Sequence, residues 1–120
     1  MFLVSDVGPM AGRAPGIYKW GNIDVEVHED GHLGLSGTPY LAGAGHLLDW
    51  SIAHFVNLTG NSIKKTMPLV TDIPSDLINN DVSLNVGKPA DIVLFSFNQG
   101  DARLSIEQTI IDGRVVYNNE

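Results

Sequence analysis

The chain has 120 residues, 43% hydrophobic and 18% charged, enough for one modest core and too apolar for a disordered polymer. Seven Lys and Arg against 14 Asp and Glu leave a net charge of −7 with no basic cluster, which argues against a nucleic-acid partner. Cysteine is absent, so disulfides, thiolate metal sites and cysteine nucleophiles are excluded and a cytoplasmic location is the default expectation. No apolar run has the length to cross a bilayer, and Met1-Phe2-Leu3-Val4 lacks the basic start of a signal peptide, so no membrane partner is expected.

Phe2-Leu3-Val4 is a short apolar run that does not alternate, the pattern of a strand buried on both faces and usually parallel. Nothing before residue 2 can supply its neighbours, which suggests a chain that begins in the middle of a larger architecture. A Gly, Pro and Ala-rich loop from Val7 to Gly16 follows. Ile17–Trp20 and Ile23–His28 read as strands, the second with Ile23, Val25 and Val27 alternating against Asp24, Glu26 and His28. Asp30-Gly31 predicts a turn, with His32–Leu35 returning as hairpin partner, and Gly37 to Gly45 is a second flexible loop.

A helix is predicted from about Ala44 to Leu58, with Leu47, Leu48, Ile52, Phe55 and Val56 on one side and Gly60 as the C-terminal cap. Ser62 caps a further helix through Ile63, Met67 and Val70, which Pro68 should kink or end early. After Asn79-Asn80-Asp81 the chain turns to strands at 92–97, 105–111 and 114–117, with Asp112-Gly113 as the last hairpin turn. This order is that of a final βα unit of a larger barrel followed by a β module.

Several motifs compete for chemical meaning. His28-Glu29-Asp30-Gly31-His32 matches the H-E-x-x-H zinc-protease pattern, but that chemistry needs a helix and these residues flank an Asp-Gly turn. A protease is rejected; a weak cross-strand metal pair from His28 and His32 stands second to two exposed turn histidines. His46 and His54, eight residues apart, could share a helix face as partly buried residues, and His46, beside the glycine loop, is better placed to meet a ligand. Gly43-Ala44-Gly45 could offer backbone N–H groups to an anion, a weak signal alone. Asn57-Leu58-Thr59 is a glycosylation sequon read as incidental in a helix. Asp6, at the C-terminal end of the first apolar run, stands where a (β/α)8 barrel projects catalytic side chains. An isolated Asp there reads first as a turn former, and the surrounding sequence tips the balance.

Leu3-Val4-Ser5-Asp6, the run Ser36 to Gly45 containing Leu41-Ala42-Gly43, and Val86-Gly87-Lys88-Pro89-Ala90-Asp91-Ile92-Val93 occur in a recognisable order. Together they resemble the C-terminal part of the amidohydrolase superfamily, most closely its N-acetylglucosamine-6-phosphate deacetylase family, through nearly the whole chain. The resemblance implies an α/β fold, the C-terminal fragment of a (β/α)8 metal-dependent hydrolase barrel followed by strands of a small β-sandwich module. Residues 1–80 would be the last strand, hairpin loop and helices of the barrel, and 81–120 the C-terminal β module.

By the same resemblance Asp6 is the catalytic carboxylate that faces the metal, activates the attacking water and protonates the departing amine. Leu41, Ala42 and Gly43 lie against the sugar, and Lys88 and Asp91 are structural. The family's metal ligands, a His-x-His pair, a Glu or Lys and two later histidines, all precede the last barrel strand, and His28, His32, His46 and His54 match none of them. A divalent metal such as zinc is therefore implied for a complete enzyme, with none expected on this chain alone. The implied partners are an amino-sugar substrate and either the missing N-terminal barrel half or a second copy, and the chain alone should be inactive. Pro68, and Asp76 in place of the usual basic residue, depart from the family pattern. A non-catalytic, β-rich binding module of amidohydrolase ancestry is the competing expectation.

Overall fold

A computed structural model describes residues 1–119. The chain divides into two compact units, one from Val4 to Leu48 and one joining Met1–Leu3 to Asp49–Glu120. Among the described residues no helix is long and apolar enough to cross a membrane.

The first unit is built on a meander of three antiparallel strands, β1 (Gly16–Trp20), β2 (Ile23–Val27) and β3 (Leu33–Leu35), in the order β1-β2-β3. Gly21 takes φ 57°, the sign a two-residue type II′ turn needs at its first position, and so closes β1 onto β2 in the register Trp20↔Ile23. Period-2 alternation places Tyr18, Val25, Val27 and Leu33 on one face. Val25, Val27 and Leu33 are buried there, and Met10, Ala11, Tyr18 and Ala42 pack against them. Asp24 and Glu26 stay on the outer face, as the sequence predicts.

In the second unit α1 (Leu48–Thr59) buries Ile52, Ala53 and Val56 along one stripe. It ends as expected, with Gly60 at φ 68° and its N–H on the Val56 carbonyl at 2.9 Å. It starts four residues later than predicted. Leu41 and Ala44 are engaged in isolated bridges to Gly34 and Val7, and a pair of glycines at 43 and 45 disfavours helical backbone.

Ser62 caps α2 (Ile63–Thr66) by accepting from the Lys65 N–H. Pro68 cannot donate to the carbonyl four residues earlier, so α2 passes into a 3₁₀ turn over Met67–Leu69, the early end expected of it. A further helix, α3 (Asp72–Leu77), has Pro74 in its first turn, where no intrahelical donor is needed.

The second sheet, β4 (Ile92–Ser96), β5 (Ser105–Ile111) and β6 (Arg114–Asn118), is antiparallel in the order β4-β5-β6. Asp112 and Gly113 have φ 48° and 74°, both positive as a type I′ hairpin requires. Asp91 accepts from the Asp112 N–H at 2.8 Å and the Ala90 carbonyl from the Gly113 N–H at 3.0 Å, so this stretch holds the hairpin turn. Lys88 pairs with Asp81 at 2.7 Å and steadies the irregular segment before β4.

One predicted element is absent. Phe2-Leu3-Val4 forms no strand; Phe2 and Val4 are exposed and Leu3 makes one ladder-like bond, its N–H to the Leu69 carbonyl at 3.0 Å. A strand buried on both faces needs neighbouring strands to pair with, and among the described residues no strand pairs with this run.

Candidate functional site

The first unit brings the predicted site residues onto adjoining backbone. Val7 bridges Ala44 in parallel, the Gly8 N–H donates to the Ala44 carbonyl at 2.8 Å, and the Ala44 N–H donates to the Asp6 carbonyl at 3.3 Å. The other side of the same segment is tied to β3. The Ala42 N–H donates to the Leu33 carbonyl at 2.9 Å and the Leu35 N–H to the Tyr40 carbonyl at 2.8 Å, on either side of a Gly34–Leu41 bridge. Residues 40–44 thus run between β3 and the Asp6–Gly8 stretch. Asp6 and Leu41-Ala42-Gly43, far apart in sequence, become neighbours in space.

Glycines at 43 and 8 suit this arrangement for different reasons, Gly43 through its backbone angle and Gly8 through its closeness to Leu33. A Cβ on Gly43, whose φ is 121°, would lie 3.5 Å from the Gly8 Cα, and one on Gly8 would lie 2.8 Å from the Leu33 methyl. Asp6 itself has φ 45°, a left-handed conformation that Asp tolerates better than most residues, and its side chain is exposed. Leu41 is 74% exposed while its backbone is held; Ala42 is turned toward Val25, Val27 and Leu33. An accessible carboxylate beside a fixed, partly apolar backbone segment can exchange a proton with a bound molecule whose other end rests on that segment.

The histidines do not assemble a metal site. His28 and His32 stack with ring centroids 3.8 Å apart and planes 8° from parallel, so one ion cannot lie in both ring planes. His32 Nδ1 instead lies 2.6 Å from Asp30 Oδ1, which also accepts from the His32 N–H. These bonds hold the Asp30 carboxyl below its usual range, the backbone donor contributing most. The residues thus form a hairpin tip, as read from the sequence. His46 precedes α1, so the helix face it was expected to share with His54 does not exist; His54 stacks on Trp50 at 4.3 Å instead. Because the helix begins at Leu48, Gly43-Ala44-Gly45 does not open it as an anion-binding turn. Among the described residues no three His, Asp or Glu side chains converge as a metal centre needs.

Asn57, read from the sequence only as a sequon, is a structural clamp. Its amide donates to the Asp101 carbonyl and accepts from the Gly100 N–H, both at 2.9 Å, which joins α1 to the β4–β5 connection. That partnership spans more than 40 residues and leaves no local signal. A cleft of about 460 Å³ in the second unit is lined by Asp72, Asp76 and Asp81, a charge that repels phosphate esters, and contains no predicted site residue.

No protein-family model matches the chain. Its whole length is 31% identical to rat N-acetylglucosamine-6-phosphate deacetylase, of which it covers 29%. Against the human protein of that name the identity is 30% over 98% of the chain and 28% of the relative. The solved N-acetylglucosamine-6-phosphate deacetylase from Thermotoga maritima superposes over 99% of this chain and 31% of its own, with TM-score 0.81 and 26% identity. The chain resembles the C-terminal region of these deacetylases. The deacetylase from Pasteurella multocida, at 24% identity and TM-score 0.82 over 98% of the chain, shows the same fold. Deacetylase likeness thus extends end to end through a small α/β piece with two antiparallel sheets. That piece spans about three-tenths of the length of the curated relatives it matches.

Proposed function

We propose that the chain is the C-terminal portion of a metal-dependent N-acetylglucosamine-6-phosphate deacetylase-like enzyme, hydrolysing an N-acetyl group from an amino-sugar phosphate in the cytoplasm. In lineage, residues 1–80 correspond to the last strand (not formed over residues 2–4 here), hairpin loop and helices of a (β/α)8 barrel, and 81–120 to its C-terminal β module. The observation that carries the reading is the meeting of Asp6 with Leu41-Ala42-Gly43 through the Val7–Ala44 pairing. These segments matched the family separately in sequence and had no local reason to adjoin.

Asp6 takes a proton from the attacking water and delivers it to the amine nitrogen as the C–N bond breaks, releasing acetate and the free amino sugar. Leu41, Ala42 and Gly43 shape the sugar-facing wall. The divalent metal, whose chemistry is polarisation of the amide carbonyl, does not fit the donors among the described residues. One carboxylate without the metal-ligand strands leaves this chain inactive alone. Its exposed apolar residues, Leu58, Leu77, Ile78, Val115 and Val116 among them, are then covered by the missing barrel half or by self-association.

The test is complementation. The chain is co-produced with the preceding barrel portion of a related deacetylase, supplied with zinc, and acetate release from N-acetylglucosamine-6-phosphate is measured. Activity should appear only in the mixture, and Asp6→Asn should lower it about 10²- to 10⁴-fold without loss of folding. Equal activity of Asp6→Asn, or full activity of the chain by itself, overturns the reading.

A further inference from the structure

Most glycines of the first unit have positive φ, a backbone reason to lack a side chain, and Gly45 does not. Its reason is contact. A Cβ there would run into the Gly31 carbonyl oxygen and would lie 2.8 Å from the Gly31 carbonyl carbon and 3.1 Å from the His32 Cα, all of them backbone atoms. The hydrogen in that position therefore faces the Gly31 carbonyl, and the chain just past Ala44 lies directly on the turn between β2 and β3.

The two sides of this contact are held unequally. Gly31 sits in a closed turn, where its N–H donates to the His28 carbonyl at 2.9 Å and the His28 N–H donates to the His32 carbonyl at 3.0 Å. On the other side the Ala44 N–H, one peptide before Gly45, reaches the Asp6 carbonyl at 3.3 Å, at the weak end for such a bond and longer than the 2.8 Å from the Gly8 N–H to the Ala44 carbonyl. Backbone that has to give way at Gly45 therefore draws first on the bond to Asp6.

We infer that Gly45 is a positioning residue for Asp6, its bare Cα letting the chain cross the β2–β3 turn at the level where the Ala44 N–H meets the Asp6 carbonyl. The inference rests on the reading of Asp6 as the carboxylate that exchanges the proton. Asp6 holds φ 45°, and the bond from Ala44 ties that backbone to the segment crossing the turn. With a methyl group at 45, residues 44 and 45 lift from the turn, the Asp6 carbonyl loses its donor and the carboxylate is re-aimed. Misorientation at the reacting centre lowers turnover, so the loss falls on kcat.

The experiment compares the unmodified full chain with Gly45→Ala and with an ester variant in which lactic acid replaces Ala44, which removes that N–H alone. In the ¹³C,¹⁵N-labelled chain Gly45→Ala should move the Asp6 carbonyl and Gly8 amide resonances and leave those of β1 in place, and the ester should move the Asp6 carbonyl in the same direction. Movement confined to Gly31 and His32 means that the hairpin yields instead and overturns the inference, as does an Asp6 carbonyl unmoved by the ester. Should Gly45→Ala fail to fold, the ester variant decides by itself. In the zinc-supplied mixture with the preceding barrel portion of a related deacetylase, each variant should lower kcat about 10- to 100-fold and leave KM within about twofold. An unchanged kcat, or a loss carried by KM, overturns the inference. An unmodified mixture without activity defeats the deacetylase reading instead, and the carbonyl shifts then decide whether Gly45 places Asp6.

Discussion

Asp6 and Gly43 show how much of the candidate site depends on single backbone conformations. At φ 121° Gly43 occupies a region that a side chain rarely enters, although a Cβ there would make only an ordinary contact with the Gly8 Cα. Gly43→Ala should therefore destabilise the first unit by about 1–3 kcal/mol, read from urea denaturation, and should move the Gly8 and Ala44 amide resonances. Unchanged stability with unmoved resonances would show that the backbone contact is looser than the distances indicate. Asp6 is legible in sequence as the residue ending the first apolar run. Its left-handed φ is not, because it belongs to a stretch whose backbone bonds to Ala44, far along the chain. Asp91 illustrates the same division. The sequence marks it as structural, and the fold supplies the reason, since the Asp112 N–H it accepts from lies in a turn far along the chain.

Among the elements, α1 is the clearest case of local pattern meeting long-range constraint. Its buried stripe and its Gly60 end were readable at a 3.6-residue period. Its start was not, because bridges made by Leu41 and Ala44 withdraw the preceding residues from the helix. The helix is tied to the β4–β5 connection by Asn57 and by the Leu104 N–H on the Asp49 carbonyl at 3.3 Å, with Arg103 Nε 3.5 Å from Asp49 Oδ2. Asn57→Ala removes two hydrogen bonds, but Gly100 and Asp101 are exposed and regain water. The expected loss is about 1–2 kcal/mol in urea denaturation, with the Gly100 amide exchanging faster. Unaltered exchange at Gly100 would mean that the clamp does not hold that turn. The strands were legible to within a residue or two because alternation and the Asp-Gly turns act locally. The run 2–4 misled because apolar character without alternation specifies burial, and burial needs neighbours.

For the whole molecule, the charge of −7 makes acid the relevant perturbation. Two exposed carboxylates are held below their usual range. Asp30 is lowered chiefly by the His32 N–H, and Asp81 mainly by the Lys88 ammonium with help from Ser83. A carboxylate with a lowered folded pKa contributes its stabilisation above the ordinary Asp value and loses it as pH falls through the folded value. Both latches should therefore hold at neutral pH and release only below the ordinary Asp range, Asp30 before Asp81. Carboxyl resonances followed by NMR from neutral to strongly acidic pH test this, and release in the reverse order counts against the assigned partners. Because both groups are exposed, high salt should weaken the latches more than any buried contact.

By itself the sequence determined the absence of thiol chemistry, most strand positions, the hairpin turns, the helix cap at Ser62 and the resemblance to the deacetylases. Each depends on residue type at short range, where side-chain period and backbone preference act directly. Only the tertiary structure decided that Asp6 lies beside Leu41-Ala42-Gly43, that α1 begins late and that Asn57 serves as a clamp. Those outcomes depend on backbone segments meeting across tens of residues, and around the Asp6 and 41–45 segments a Cβ on Gly8 would crowd Leu33 and one on Gly45 would meet the Gly31 carbonyl. A glycine records in sequence that something approaches closely. It does not record what.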